Sequence, residues 1–330
     1  MLKVIIIGCG RIAGGYDDHA SPDDWPLSHA GAYTHHGGFE IIACVDPDIG
    51  KRELFQQKWN VPWGVSYPEE LGDSDLTVDV VSICSPTELH SQHLKTVLRW
   101  GPNLVFCEKP LTHDLSETEH LIRCYESAGI PLVVNFTRRW APDICSLKEH
   151  LKQAFWGQIY SVSAIYNKGI LNSGSHMVDL ISFLFGSLKI LAVGRGVYDF
   201  WPDDPSVPAL LETKERIPVA LSISHAKHYA LFELQIVTER GVLSMESGGM
   251  RWTKRLPMES QDFFGYRALG LRQLEFGRYK EAMAGAVENI SSWLEERVEL
   301  ASIGSTALHA HQICHEIRDR AHCKESMGGN

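Results

Sequence analysis

Short apolar runs rich in β-branched residues recur through the first 135 residues, with helical stretches between them. The runs are residues 4–7, 41–45, 78–84, 104–107 and 132–135. Helical patterns start at Ile12 and cover residues 51–59, 91–100 and 116–127. Strands that are apolar throughout and joined by helices form a parallel sheet covered on both faces. Because each helix is a crossover, we predict a doubly wound sheet for residues 1–135.

The pattern changes after residue 135. Helical stretches at 143–154 and 174–185 precede strand-like runs at 188–198, 209–214, 219–225, 231–238, 242–246 and 250–254, and helices at 279–297 and 305–320 follow. Consecutive strands on short connections favour antiparallel pairing. We therefore predict an α/β chain in which residues 136–330 form an α+β domain with a large, mostly antiparallel open sheet. A length of 330 residues agrees with two domains of roughly 150 residues each.

Composition limits the class of partner. The chain has 31 Lys and Arg residues against 41 Asp and Glu residues, a formal charge of −10. Nucleic-acid binding depends on basic residues that neutralise phosphates, so this balance argues against a nucleic-acid partner and an anionic membrane surface. No apolar run approaches the roughly 18 residues of a spanning helix, and the N-terminus lacks the basic region of a signal peptide. With eight cysteines and no CxxC pair, we expect a cytoplasmic protein with buried thiols.

The first strand runs directly into a glycine-rich turn. Gly8, Gly10 and Ala13 fit the pattern G-x-G-x-x-A where a strand becomes a helix. Gly8 permits the tight turn, Gly10 lets the backbone approach a pyrophosphate, and Ala13 keeps the helix close to the strand. Gly8, Gly10, Arg11, Ile12 and Ala13 are therefore predicted to hold a dinucleotide. The alternative is a glycine turn that binds nothing.

Asp46 follows the second strand. A carboxylate there accepts hydrogen bonds from an adenosine ribose and repels a 2′-phosphate, which indicates NAD rather than NADP. Asp46 lies 36 residues after Gly10, whereas the usual separation is about 20. We interpret residues 16–38, rich in Asp and Pro, as an inserted loop that accounts for the excess.

Glu108, Lys109 and Pro110 stand at the carboxyl end of the apolar run 104–107. In open α/β sheets this is the edge at which ligands bind. A lysine there can hydrogen-bond a substrate hydroxyl, and beside an oxidised nicotinamide its pKa would fall toward the range of a general base. The alternative is a solvated lysine before a turn.

Asn172, His176 and Asp179 are spaced so that they share one face of a helix. Their polar side chains could project together into a substrate site. The alternative makes Asn172 a helix N-cap and His176 a core histidine.

In order along the chain, these motifs resemble the Gfo/Idh/MocA oxidoreductases. The resemblance rests on the glycine turn, Asp46, Ser85-Pro86-x-x-x-His90, Glu108-Lys109-Pro110, residues 136–142, and Gly174-x-His176-x-x-Asp179. It covers residues 1–185 by motif and extends to about residue 320 by the order of strands and helices. It implies a Rossmann domain at 1–135 that binds NAD(P), and a substrate-binding and oligomerisation domain at 136–330. It also implies a homodimer or homotetramer formed through the C-terminal sheet.

The resemblance also implies roles for individual residues. Lys109 and His176 take the catalytic positions. The other expected site residues are Ser85, Pro86, His90, Glu108 and Lys109 at the cofactor, and Asn172, Asp179 and Arg139 at the substrate. Asn172 replaces the usual aspartate, and an amide can orient a hydroxyl but cannot accept a proton. Thr137 likewise replaces an asparagine.

Two functions follow from these expectations. In the first, hydride passes between a nicotinamide and a carbinol or carbonyl of a sugar, sugar nucleotide or cyclitol. In the second, the chain is a catalytically impaired sensory or regulatory protein that binds NAD and a ligand. No metal is predicted, although His311, Cys314, His315, His322 and Cys323 cluster near the C-terminus. Residues 262–278 combine arginines with aromatic residues, as in an anion site or an oligomer contact.

Overall fold

The computed structural model describes the backbone of residues 1–21, 23–72 and 77–327 and the side chains as far as Ala321. The chain forms two compact units. Unit 1 comprises Met1–Trp140 and Lys280–Leu308, and unit 2 comprises Ala141–Tyr279 and the chain from His309 onward. The contacts thus join residues 280–308 to the N-terminal unit. The functional division into residues 1–135 and 136–330 stays a prediction.

The helices begin and end close to the predicted bounds, except near Ile12 and at the last helix, which extends to Met327 instead of ending near residue 320. They are α1 (His29–His36), α2 (Ile49–Trp59), α3 (Thr87–Trp100), α4 (Leu115–Ala128), α5 (Pro142–Lys152), α6 (Ser175–Phe185), α7 (Ala282–Glu296) and α8 (Gly304–Met327). In the described part of the chain, no helix combines the length and apolar character needed to cross a membrane.

Unit 1 is built on a six-stranded sheet. Its strands are β1 (Leu2–Ile7), β2 (Phe39–Val45), β3 (Trp63–Val65), β4 (Val80–Ile83), β5 (Leu104–Cys107) and β6 (Leu132–Val134), in the order β3-β2-β1-β4-β5-β6. All five ladders are parallel, and every residue of β4 and β5 is buried. This order confirms the predicted doubly wound Rossmann sheet.

Helix α7 belongs to unit 1 because its apolar face completes the core there. Met283, Ala286, Val287 and Ile290 recur at helical spacing and join the cluster that contains residues of β1 and α1. All four are buried. The return of the chain to this core explains why the contacts assign residues 280–308 to unit 1.

The predicted helix from Ile12 onward is wrong in its position. After Gly10 the chain makes one helical turn and leaves it, and α1 begins only at His29. The amide of His29 donates to the carbonyl of Ile12 at 3.0 Å, and that of Ala30 donates to the carbonyl of Ala13 at 2.8 Å. The first amides of α1 therefore satisfy carbonyls of the glycine turn.

The predicted inserted loop is correspondingly shorter than residues 16–38, because α1 occupies part of that range. The excursion is residues 17–28, and Asp17 closes its base. The buried Asp17 carboxylate accepts from the amides of Leu27 at 2.8 Å and Ser28 at 3.1 Å, and from the Ser28 hydroxyl. Ser28 Oγ in turn accepts from the Gly31 amide and caps α1.

Unit 2 contains an eight-stranded sheet and a short two-stranded ribbon. Its strands are β7 (Ile159–Tyr166), β8 (Leu188–Val193), β9 (Ala209–Thr213), β10 (Pro218–Ile223), β11 (Phe232–Thr238), β12 (Gly241–Glu246), β13 (Arg251–Arg255), β14 (Pro257–Glu259), β15 (Arg267–Leu269) and β16 (Gln273–Phe276). The sheet order is β16-β13-β12-β11-β7-β10-β9-β8. Its ladders are antiparallel except between β7 and β10, which confirms the mostly antiparallel prediction.

Residues 257–276 form an exposed extension of this sheet. Strands β14 and β15 pair with each other, and β16 lies at the sheet edge with all four residues exposed. Phe263, Phe264 and Phe276 are also exposed. The aromatic residues of the segment 262–278 are therefore on the surface of unit 2.

Candidate functional site

The glycine turn of unit 1 has the features that a dinucleotide phosphate requires. Gly8 has φ +94°, and a Cβ there would lie 2.7 Å from the amide nitrogen of Ser85, so only glycine fits. A Cβ on Gly10 would meet open space. Within the described part of the chain, the amides of residues 10–13 donate to no protein acceptor. Such free amides at one turn suit an anion.

A cavity of about 520 Å³ adjoins this turn on the side of α2. Gly10, Arg11, Gly14, Lys51 and Trp59 are among its lining residues. Lys58, which also lines it, pairs with Asp18 at 2.7 Å. The turn, its free amides and this cavity together fit an adenine dinucleotide.

Asp46 lies directly after β2 and is almost completely buried. Its Oδ2 accepts from the Cys9 amide at 2.8 Å, and its Oδ1 accepts from the Asp48 amide at 2.9 Å. Each carboxylate oxygen has two acceptor positions, so one remains on each for a ribose hydroxyl. Asp46 thereby joins the glycine turn to the end of β2.

Buried His90 connects the loops that follow β4 and β5. Its Nε2 lies 2.8 Å from the carbonyl oxygen of Ser85, and its Nδ1 lies 2.8 Å from that of Pro110. Carbonyl oxygens only accept, so both contacts are hydrogen bonds only when both ring nitrogens carry hydrogen. The Lys109–Pro110 peptide bond is cis. The His90 ring therefore contacts the backbone carbonyl groups of both loops.

Beside it, His93 is also buried. Its Nδ1 lies 2.9 Å from Oγ of Ser85. Burial, and secondly the charge of His90, lower the pKa of His93 to about 4. His93 is thus a neutral partner for Ser85, a residue predicted at the cofactor.

Glu108 is held by a buried polar network. Its Oε1 accepts from Nε2 of His29 at 2.9 Å and from Nδ2 of Asn135 at 2.6 Å. His29 Nδ1 lies 3.2 Å from Oγ of Ser82, and the Tyr33 hydroxyl lies 2.8 Å from the same oxygen. Burial opposes ionisation of Glu108, but His29 foremost, then Asn135 and the Lys109 charge, outweigh it and lower its pKa.

Sequence reasoning missed His29, although it lies on the helix that continues the glycine turn. The network places an ionised carboxylate next to Lys109 in the chain, which keeps a negative charge beside that ammonium group. His29 and Asn135 supply the donors that such a buried carboxylate needs.

Residues 137 and 139 lie in the short 3₁₀ segment Thr137–Trp140 of unit 1. Oγ1 of Thr137 donates to Oδ1 of Asn135 at 2.9 Å. Arg139 is buried, and its guanidinium donates to the carbonyl of Ala301 at 2.8 Å. The substrate-binding role of Arg139 stays a prediction.

In unit 2, Asn172 and His176 do not lie on one uniform α-helix. Residues Gly169–Gly174 form a π-helical turn, and α6 begins only at Ser175. The regular spacing of 3.6 residues per turn that grouped Asn172, His176 and Asp179 is therefore not kept across this junction. His176 is half-buried, whereas Asp179 is 1% exposed. Their site roles stay predictions.

Asn172 is fixed by its own segment and by a distant loop. Its Nδ2 donates to the Lys168 carbonyl at 3.1 Å. Both oxygens of Asp204 accept amides from the π-helical turn, from Leu171 and from Asn172, each at 2.9 Å. Sequence reasoning also missed Asp204, because nothing near it in the sequence points to residue 172.

His311 and His315 lie 2.9 Å apart between their Nε2 atoms. Among the described residues, no group of three or more His, Cys, Asp or Glu side chains is arranged to hold a metal ion. The side chains of His322 and Cys323 lie outside the described part.

Comparison with known proteins finds a family match for the N-terminal part of the chain. Residues 2–136 match the family GFO_IDH_MocA, described as "Oxidoreductase family, NAD-binding Rossmann fold". The matched residues include the glycine turn, Asp46 and Glu108-Lys109-Pro110, and they all lie in unit 1.

Two curated relatives extend the match beyond this region. Inositol 2-dehydrogenase of Rhizobium meliloti (strain 1021) is 24% identical over 255 residues, which cover 71% of this chain and 75% of that protein. D-glucoside 3-dehydrogenase of Escherichia coli (strain K12) is 26% identical over 211 residues, which cover 58% of this chain and 56% of that protein. The chain thus matches about half of the second relative's length.

A solved structure has the same fold. It is an oxidoreductase from Agrobacterium radiobacter in complex with NAD+, L-tartaric acid and magnesium. The TM-score is 0.76 at 18% identity, and the match covers 97% of this chain and 96% of that one. At this identity the likeness concerns the fold.

Proposed function

We propose that this chain, whose residues 2–136 match the family model, is a member of the Gfo/Idh/MocA oxidoreductases and an NAD-dependent dehydrogenase or reductase. Its substrate would carry a CH–OH group or the corresponding carbonyl on a sugar, sugar nucleotide or cyclitol. One observation carries the proposal. Gly8, Asp46, Ser85, Glu108 and Asn135 follow five neighbouring parallel strands at the edge where such sheets bind ligands.

The residues of unit 1 are suited to NAD. The free amides of the glycine turn would hold the pyrophosphate, and Asp46 would accept the ribose hydroxyls. The negative charge of Asp46 would repel a 2′-phosphate, which disfavours NADP. When bound, the nicotinamide supplies the carbon that accepts or donates the hydride.

Lys109 and His176 are the proposed groups for proton transfer. Lys109 follows Glu108, whose ionised carboxylate favours the charged form of the lysine. Lys109 can remove a proton from a substrate hydroxyl only when its own amine is neutral. The stabilisation of its charged form by Glu108 would then have to be offset. Asn172 would orient the hydroxyl through its amide, since it cannot take the proton itself.

The test is reduction of NAD+ or oxidation of NADH across inositols, glucosides, hexuronates and sugar nucleotides. We expect turnover with at least one cyclic polyol, and Lys109→Met should lower kcat at least 100-fold while NAD binding, followed by tryptophan fluorescence, persists. Lys3→Met is the control, because Lys3 is exposed on β1. Full activity of the Lys109 variant would refute the catalytic assignment.

A second candidate is a regulatory protein that binds NAD and a sugar-like ligand without turnover. It is favoured by Asn172, which stands where the family has an aspartate and whose amide is already bonded to the Lys168 carbonyl. Ligand and NAD binding with no change in nicotinamide absorbance would support it. Replacing Asn172 by Asp would then be expected to produce or increase turnover.

The expected homodimer or homotetramer is also a proposal. The exposed apolar side chains of residues 257–276, including Phe264 and Phe276, support association through the sheet of unit 2. Light scattering after gel filtration tests it. The double variant Phe264→Ser, Phe276→Ser should shift the mass toward one chain, and a wild-type monomer would refute it.

A further inference from the structure

A short loop of unit 2 carries exposed aromatic side chains and is hydrogen-bonded to the segment that contains Asn172. Val197 and Ser206 exchange two backbone hydrogen bonds, of 2.8 and 2.9 Å, and so close a loop of residues 198–205, here called the aromatic loop. Tyr198, Phe200 and Trp201 in it are 46%, 53% and 49% exposed. Three half-exposed aromatic residues within four positions give this loop an exposed apolar surface.

Two buried carboxylates tie the aromatic loop to the segment that carries Asn172. Asp204 accepts the amides of Leu171 and Asn172. Asp199 accepts the Lys168 amide at 3.0 Å through Oδ2 and the Ser206 hydroxyl at 2.8 Å through Oδ1. Hydrogen bonds to a carboxylate are stronger than those between neutral groups. The position of the aromatic loop relative to Asn172 is therefore fixed.

The Asp199 carboxylate also links a third segment to the aromatic loop. Asp199 Oδ2 also accepts the Ala226 amide at 3.0 Å, and Asn167 Nδ2 donates to the Tyr229 carbonyl at 2.7 Å. The ammonium group of Lys168 lies near one of the aromatic rings, with Nζ 5.3 Å from the centre of the Phe200 ring. Aromatic faces and hydrogen-bonding groups occur together at this end of unit 2.

The aromatic surface is too small for a stable protein interface. The three side chains expose on the order of 300 Å², whereas a stable interface buries roughly 800 Å² on each partner. The rings are also held in a set arrangement, since Phe200 and Trp201 meet edge to face at 5.0 Å and 84°. Aromatic side chains with a few polar groups near them are the usual lining of small-molecule sites.

We propose that Phe200 and Trp201, with Tyr198, form the subsite on which the ring of a cyclic sugar or cyclitol packs. The inference rests on the proposed function, because it takes Asn172 as the residue that orients the reacting hydroxyl. The C–H groups on one face of such a ring are apolar and pack against an aromatic face, while its hydroxyls bond to the polar groups around it. An acyclic polyol lacks this face, so the loop selects cyclic substrates.

Kinetics of Trp201→Ala and Phe200→Ala test the subsite, with methyl β-D-glucopyranoside, myo-inositol and acyclic sorbitol as substrates. Each variant should raise KM for the better cyclic substrate at least tenfold, change kcat less than twofold, and leave NAD binding intact. Trp201→Tyr should restore KM to within threefold. Tyr160→Ala is the matched control, because Tyr160 is an aromatic residue of unit 2 that is 50% exposed on β7. Unchanged KM values would overturn the proposal.

Saturation-transfer NMR separates failure of the subsite from failure of the proposed function. With methyl β-D-glucopyranoside and NAD+ present, the wild-type chain should transfer saturation to the sugar C–H protons, and Trp201→Ala should lose most of it. This result without any turnover would retain the subsite and refute the dehydrogenase. No transfer to wild type, or transfer that survives Trp201→Ala, would overturn the subsite. A change of oligomeric mass in Trp201→Ala with unchanged transfer would also overturn it.

Discussion

Nε2 of His29 lies 2.9 Å from Oε1 of Glu108, and the imidazole is completely buried. A carboxylate only accepts hydrogen bonds, so this nitrogen carries the hydrogen. Helix α1 thereby contacts the loop that carries Lys109. The contact is long-range, because the two residues are 79 positions apart in the sequence. It gives the Glu108 carboxylate a hydrogen-bond partner that the sequence did not indicate.

Replacing His29 by Ala should cost about 2–4 kcal/mol of unfolding free energy, because Glu108 would lose a donor while it stays buried. Urea unfolding measures this cost. His36→Ala is the control, because His36 lies on the same helix and pairs with Glu288, whose side chain is 69% exposed. An exposed pair contributes less than about 1 kcal/mol. Equal losses in the two variants would contradict the importance of the buried contact.

His90 should help to hold the loops after β4 and β5 in place, since its ring nitrogens lie 2.8 Å from the carbonyl oxygens of Ser85 and Pro110. His90→Ala removes this connection, and we expect NAD affinity to fall roughly tenfold. Fluorescence titration with NAD measures the change. An unchanged affinity would contradict this role of His90.

Acidification should destabilise the chain through His93. Its pKa is about 4 when folded and 6.5 ordinarily. The unfolded chain therefore binds a proton between these pH values that the folded chain does not. Stability contributed by His93 is intact above pH 6.5 and is lost as the pH falls toward 4, by about 2 kcal/mol at pH 5. Urea titrations at pH 7.5 and 5 should show a smaller decrease for His93→Gln than for wild type, and equal decreases would contradict this assignment.

Asp46→Asn should raise affinity for NADP relative to NAD at least tenfold. The amide keeps an oxygen that can accept from the Cys9 backbone and loses the acceptor for the Asp48 amide. It also removes the charge that would repel a 2′-phosphate. Fluorescence titration with both dinucleotides measures the ratio. Asp48→Asn is the control, since Asp48 caps α2 and asparagine caps a helix equally well. An unchanged ratio in Asp46→Asn would remove the basis for preferring NAD.

Five of the six strands of unit 1 were predictable, because they are mostly apolar and are followed by residues such as Gly8, Asp46 and Glu108. Strand β3 was missed, because its three residues are too few to form a recognisable pattern. The long separation of Asp46 from Gly10 is also explained. Subtracting the twelve residues 17–28 from 36 leaves 24, near the roughly 20 that the fold usually shows. Strand β7 was missed although Val162, Ala164 and Tyr166 alternate with more exposed residues, which is the ordinary pattern of a strand with one buried face.

The contacts that position the candidate residues were not predictable. Asp204 contacts Asn172 across 32 residues of chain, and neither has a local pattern that indicates the other. The π-helical turn before α6 was equally hidden, because the spacing of polar residues assumes a regular α-helix. Such contacts between a buried carboxylate and a distant segment can be identified only from the folded structure.

The two ends of the excursion at residues 17–28 lie next to each other, because the Asp17 carboxylate accepts the amides of Leu27 and Ser28. Helix α1 is then held by its own contacts with Ile12 and Ala13, whatever the length of chain between. Lengthening a loop whose ends are already held together adds little to the entropic cost of closing it. We therefore expect the excursion to tolerate an inserted sequence. A fluorescent reporter inserted there would lie a few residues from the glycine turn and would not interrupt a strand of the sheet.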